Sequence, residues 1–176
     1  VKLLEQVKEK GEAALSGWVQ VNGTATITRT TASKYSQTAS MRIASGSATS
    51  WIGAKYPITL SNSTTYAMSF YAKLISGGGS NPTVAWGYSS TGAFAGEIDC
   101  EADNDPQPIY TSTWTRYSCT FTTPASNSGA PYIYIEQANA ATMTWDVDNV
   151  MLTQQSSHQQ AYYDGTIDMS GAAING

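Results

Sequence analysis

The chain predicts an all-β fold, an antiparallel β-sandwich. Nine or ten short segments alternate apolar and polar residues, the period of a half-buried strand. Asn, Gly, Ser and Pro separate them at near-regular intervals, as in sandwiches built of short strands. One stretch alone, Val1–Leu15, carries helical spacing.

That N-terminal segment places Leu4, Val7, Gly11 and Ala14 at a/d positions, with Glu and Lys between them. It spans barely two heptads and contains a glycine, so by itself it is a marginal helix. It reads as the end of a longer coiled coil or as a packed leading segment. Trp18–Val21 and Thr24–Thr30 flank Asn22-Gly23, the strongest short hairpin signal. Ser40–Ala44 is a short strand and Ser50–Ile58 another, closed by a Ser61-Asn62-Ser63 turn. Along Tyr66–Leu74 the residues Tyr66, Met68, Phe70, Ala72 and Leu74 point inward, and Ser69, Tyr71 and Lys73 outward. A Gly/Ser loop over Ser76–Pro82 leads to strands at Thr83–Tyr88 and Phe94–Glu101, then an acidic loop at Asp103–Gln107. Trp114–Phe121 sets Tyr117, Cys119 and Phe121 on one face.

The stretch Pro131–Leu152 organises the rest. On its first strand Ile133 and Ile135 share one face, while Tyr132, Tyr134 and Glu136 share the other. On its second, Met143, Trp145 and Val147 are in phase, and beyond Asp148-Asn149 the phase slips to Val150 and Leu152. A β-bulge at that pair keeps both halves buried, because a one-residue slip otherwise turns every later side chain over. Gln154–Gly176 reads as a polar tail. The domain plan is thus 1–15 as a helical or linking segment, 16–153 as the sandwich, and 154–176 as tail or linker.

The composition narrows the function. The 176 residues suffice for one core-bearing domain. Only 12% are charged and Ser, Thr and Gly abound, a mix common in extracellular or virion β-domains. A net charge of −4 provides no electrostatic case for a nucleic-acid partner. No apolar run approaches a membrane span of about 18 residues. The opening VKLLEQVKEK lacks both an initiator Met and the apolar centre of a signal peptide, so a fragment or processed chain is expected. Two cysteines make neither a disulfide scaffold nor a zinc site.

Six segments, in order, resemble one family: Gly17-Trp18, SMRIAS, TYAMSFYAKL, TWTRYSCTFTTP, YIYIEQ and WDVDNVML. They are similar to the jelly-roll carbohydrate-binding modules grouped as families 4, 9 and 22, over about Leu3–Leu152. No motif is specific by itself; their order is. The tail QQAYYDGTIDMSG resembles a "YFDG" segment that follows such modules in bacteriophage tail and fibre proteins. The family's Phe-Glu corresponds here to Gly11-Glu12, and Cys119 stands where the family has a buried aromatic.

The resemblance implies two sheets, one with the strands at 40–44, 66–74, 114–121 and 143–152, the other with those at 50–58, 83–88, 94–101 and 131–137. In such modules the outer, concave face of the second sheet is the glycan cleft. Alternation then puts Ile52, Ile98, Ile133 and Ile135 in the core. It puts Trp51, Glu97, Asp99, Glu101, Tyr132, Tyr134 and Glu136 in the cleft. A pyranose stacks its C–H face on an aromatic ring, and its hydroxyl rim pairs with carboxylates. The plainer alternative makes Tyr132 and Tyr134 ordinary surface strand formers. On Thr83–Tyr88 either face can turn inward, so Trp86 and Tyr88 are candidates for both core and cleft wall. Trp18, Trp114 and Trp145 read as structural.

Cys100 and Cys119 both lie on core-facing phases, as a disulfide or as two buried thiols. Asp148 matches the closing motif that often helps hold a structural calcium, with Glu12 its partner by the resemblance; otherwise Asp148 caps the bulge through backbone hydrogen bonds. No other cofactor is implied. Glu97, Asp99 and Glu101 form a flat row on one strand, which does not flank a scissile bond from both sides. His158 lies in the polar tail without a nucleophile partner. The expected function is non-catalytic carbohydrate binding in a phage tail or fibre protein. It would attach the particle to a host-surface glycan from a virion-surface or extracellular position, with the N-terminal segment joining three copies. The alternative is a structural domain of a virion or cell-surface assembly that contacts protein and has no sugar site.

Overall fold

A strand with one apolar face needs a second apolar face to cover it, and here two sheets supply each other. The computed structural model describes residues 15, 17–36, 38–100, 106–111 and 113–154. Among them run eleven strands: β1 (Val19–Val21), β2 (Ala25–Thr30), β3 (Ser40–Ser45), β4 (Ile52–Pro57), β5 (Thr65–Gly77), β6 (Thr83–Ser89), β7 (Glu97–Asp99), β8 (Gln107–Pro108), β9 (Thr115–Thr122), β10 (Tyr132–Gln137) and β11 (Met143–Thr153). One sheet has the order β1-β4-β10-β6-β7, with the two-residue β8 also on β6. The other has the order β2-β3-β11-β5-β9, and every pairing is antiparallel. The division of strands between sheets is the one the jelly-roll resemblance implies. The N-terminal helix candidate, Glu12, Glu101 and all of the tail beyond Gln154 lie outside the described residues.

The core follows from alternation. Tyr66, Met68, Phe70, Ala72 and Leu74 of β5 meet Val84, Trp86 and Tyr88 of β6, Tyr117, Cys119 and Phe121 of β9, and Ile133 and Ile135 of β10. Phe70, Trp86 and Tyr117 pack as a trio with ring centroids 5.3–5.5 Å apart. The phase slip on β11 is resolved as expected. Its register against β5 shifts between Asp148 and Met151, Asn149 takes φ 52°, and Val147, Val150 and Leu152 all reach the core. Cys100, just past β7, is bonded to Cys119 on β9 with Cα atoms 5.4 Å apart. The bond ties the edge of one sheet to the edge of the other.

Three expectations need correction. Asn22-Gly23 does not close a hairpin: β1 pairs with β4 and β2 with β3, so the pair carries the chain from one sheet to the other. The cause is burial, because Val21 packs on the outer face of the first sheet while Ala25 and Ile27 pack against the core. A flat two-strand hairpin would expose one set. Phe94–Gly96 forms a single 3₁₀ turn, which shortens the strand expected from Phe94. Tyr88, a candidate for the cleft wall, faces the core; Trp86 packs in the core as well and also lines the cavity beside Trp51. Trp86 donates its indole N–H to Cys119 Sγ at 3.1 Å, and the Tyr88 hydroxyl donates to Asn127 Oδ1 at 2.7 Å. Among the described residues no helix is long and apolar enough to cross a membrane.

Candidate functional site

Register places the expected site residues on one surface. Across the outer face of the first sheet, Glu97 lies level with Ser89 and Tyr132, and Asp99 with Gly87, Tyr134 and Lys55. The next row holds Ala85, Glu136, Gly53 and Val21. The tyrosines therefore point away from the core, opposite Ile133 and Ile135, as alternation requires.

They are not open rings, however. Tyr132 and Tyr134 are 1% and 0% exposed and form a small cluster of their own with Val21. Each lies along the sheet towards an acid: the Tyr132 hydroxyl donates to Glu97 Oε1 at 2.7 Å, and the Tyr134 hydroxyl donates to Asp99 Oδ1. Gly87 makes this pose feasible, because a Cβ there would come within 2.8 Å of the Tyr134 hydroxyl oxygen. The Lys55 ammonium sits 4.6 Å from the centre of the Tyr132 ring. Alternation foretold the side of the sheet but not that the rings would be spent on neighbours.

Glu136 is also sealed, at 1% exposure. Its Oε2 accepts a long 3.3 Å bond from Asn22 Nδ2, which also reaches Glu97 Oε1 at 3.4 Å, and its Oε1 has no partner. Burial, and then the negative charge of Glu97, pushes the Glu136 carboxyl up to about 9, so it keeps its proton at neutral pH. Burial also raises Glu97, opposed by hydrogen bonds from Tyr132 and Asn22. Both tyrosine hydroxyls are pushed up by burial and by bonding to an acid. The floor is thus a hydrogen-bonded lattice in which one buried acid oxygen, Glu136 Oε1, has no partner.

The open aromatic surface lies above this floor. Trp51 starts beside Gln137, to whose carbonyl its N–H donates at 2.7 Å. Phe94 comes from the other end, just before Glu97 pairs with Ser89. Their ring centroids are nevertheless 6.1 Å apart, so the contact bridges the face. Phe94 is 50% exposed. Trp51 holds φ 63°, an uncommon backbone state for a bulky side chain and one that gathers at ligand clamps. A cavity of about 330 Å³ opens beside it, where Trp51, Ala85 and Asp99 give way to Gln107, Tyr110 and the β9 edge. Tyr110 is 52% exposed. Sequence reasoning missed Phe94 and Tyr110 because both stand where alternation fails, in a turn and a loop; an unpaired aromatic beside Gly or Pro was the available signal.

Glu12 lies outside the described residues, and Asp148 caps the bulge through backbone hydrogen bonds. Its Oδ2 accepts from the Tyr35 and Ser36 backbone N–H groups at 2.8 and 3.0 Å, and its Oδ1 from that of Asn149 at 2.7 Å. Among the described residues no group of three His, Cys, Asp or Glu side chains is placed to hold a metal.

Residues 8–142 match the model of a family described as "Carbohydrate binding domain". The fold is similar to the CBM22-1 xylan-binding domain of Paenibacillus barcinonensis Xyn10C, at TM-score 0.65 and 16% identity over 84% of this chain and 91% of that one. It is also similar to the C-terminal family 22 carbohydrate-binding module of Clostridium thermocellum Xyn10B, at TM-score 0.67 and 16% identity over the same shares, 84% and 91%. A family 4 carbohydrate-binding module aligns at TM-score 0.53 and 16% identity, over 78% of this chain and 86% of that one. No curated protein sequence matches significantly.

Proposed function

Because the chain belongs to the carbohydrate-binding domain family matched over residues 8–142, we propose that it binds a polysaccharide without cleaving it. The binding surface is the outer face of the six-stranded sheet. One observation carries the reading: Trp51 and Phe94 meet across that face above a floor of Tyr132, Tyr134, Glu97, Asp99 and Glu136. The upper rings stack on sugar C–H faces, and the acids that reach solvent, Glu97 and Asp99, meet hydroxyls. The acids are held as binding groups: Glu97 is bonded to Tyr132, Asp99 to Tyr134, and Glu136 is sealed. No pair of them stands on opposite sides of an open groove, as glycoside hydrolysis needs. Xylan is the first ligand to try, since the family 22 neighbours include domains described as xylan-binding.

The wider setting we propose is a phage tail or fibre protein that attaches to a host-surface glycan. The low charge content and the QQAYYDGTIDMSG tail support it. Three copies joined through the N-terminal segment would convert weak single sites into firm attachment. The burial of Tyr132 and Tyr134 favours a second reading, a structural domain without a sugar site.

Affinity electrophoresis on soluble xylan, β-glucan and mannan separates the two. Retardation by one of them, weakened at least about tenfold by Trp51→Ala, is expected for a site built on that ring. Retardation that survives Trp51→Ala would move the site elsewhere, and none on any polymer would favour the structural role.

A further inference from the structure

The opposite side of the sandwich carries a second set of rings. Tyr71 stands on the outer face of β5, level with Arg116 of β9 and Asp148 of β11. Tyr35 lies flat on it, with centroids 3.7 Å apart and planes 13° from parallel. Trp114 meets Tyr35 edge-on at 6.3 Å. Tyr35 is 45% exposed, so the stack presents a ring to solvent.

That ring is held in place from below. The Tyr35 and Ser36 N–H groups bond to Asp148 Oδ2, and the Ser36 hydroxyl bonds to Asn149 Oδ1 at 2.9 Å. The bulge on β11 thus grips the backbone that carries Tyr35, and Tyr71 supports its ring. Such a surface loses little freedom when a ligand settles on it.

We propose that Tyr35 is the platform of a second carbohydrate-stacking site, on the face of the molecule opposite Trp51, and that it takes one pyranose ring of a polysaccharide. The proposal rests on the reading of the protein as a polysaccharide binder. Size selects the occupant. Val19, Tyr35, Phe94 and Tyr110 are the large hydrophobics exposed among the described residues, and of these only Tyr35 belongs to this face. A protein partner needs about 800 Å² of matched surface; one sugar needs one flat ring. The surroundings suit hydroxyls: Lys73 follows Tyr71 on the same face of β5, and level with it stand Asp146 and its bidentate partner Arg42. With one ring on each face, a single domain would bridge two chains of a polysaccharide, or hold one polymer at two points.

The test is nuclear magnetic resonance of the isotope-labelled chain titrated with xylohexaose, cellohexaose and mannohexaose, and with decaproline as a peptide probe. The expected result is that a hexasaccharide shifts the Tyr35 and Tyr71 amides and the Trp114 indole. Those shifts should survive Trp51→Ala and Tyr35→Phe and vanish in Tyr35→Ala. On the matching soluble polymer, Tyr35→Ala should weaken retardation about tenfold through loss of the second foothold. Shifts confined to the Trp51 face, and abolished by Trp51→Ala, would overturn the second site and leave the first standing. Shifts confined to the Tyr35 face would do the reverse. Shifts there with decaproline alone would overturn the sugar assignment, and none with any hexasaccharide would overturn both sites.

Discussion

Glu136 shows how one side chain can hold a binding surface and strain it together. Its Oε1 is buried without a partner, and its carboxyl is pushed up to about 9 by burial and by Glu97. An unfolded glutamate releases its proton near pH ~4.3. The folded state therefore keeps a proton that the unfolded chain has lost across the range between. The associated stability is full below the unfolded value and drains away as pH rises to about 9. Glu136→Gln keeps the shape and has no proton to lose. Chemical denaturation should show the wild type weakening from about pH 5 to about pH 9 and the variant weakening less. Near pH 8 the variant should be the more stable of the two, because only the wild type loses stability as its unfolded chain gives up the proton. Parallel curves would locate the titration elsewhere.

Among the elements, the bulge on β11 is the most informative. Alternation in the sequence demanded an irregularity at Asp148-Asn149, and the structure shows one there. The use made of it was not legible. Asp148 spends both oxygens on three backbone N–H groups, two of them from the segment before β3, and so latches that segment onto the sheet. Asp148→Ala should cost about 2–4 kcal/mol, because charge-assisted bonds are the strong kind and their donors are left unmatched. Thermal unfolding measures the loss. The Tyr35–Tyr71 stack should loosen with it, seen as narrower dispersion of the Tyr35 and Tyr71 ring signals. The Asn22-Gly23 turn teaches the converse. Its chemistry was read correctly, with Asn22 at φ 52°, but the same turn serves a hairpin or a crossing between sheets. The wider burial of Val21 and Ile27 chose between them.

For the molecule as a unit, the Cys100–Cys119 bond joins the two sheets along the β7–β9 edge, beside the cavity at Trp51 and Tyr110. It closes a separation of 19 residues, for which constraint of the unfolded chain stabilises by about 3 kcal/mol. Replacing both cysteines by serine should lower the unfolding free energy by that order. Reduction of the wild type should reproduce the loss, and a reductant that leaves the melting curve unmoved would show that the bond contributes nothing. Because Trp86 donates to Cys119 Sγ in the core, indole fluorescence should report the change as well.

The sequence by itself determined where most of the strands run, which face of most of them turns inward, and where the long last strand must bulge. These are local matters: side chains alternate with a period of two, and apolar ones leave water. The family wording added how the strands divide between sheets. Only the tertiary structure decided what lies uncovered on each face. Tyr132 and Tyr134 point to the expected side but lie flat on Gly87, Glu97 and Asp99, while Phe94, Tyr110 and Tyr35 supply the rings that solvent can reach. Exposure belongs to neighbours brought together from distant parts of the chain, and no periodicity within one strand records who those neighbours are.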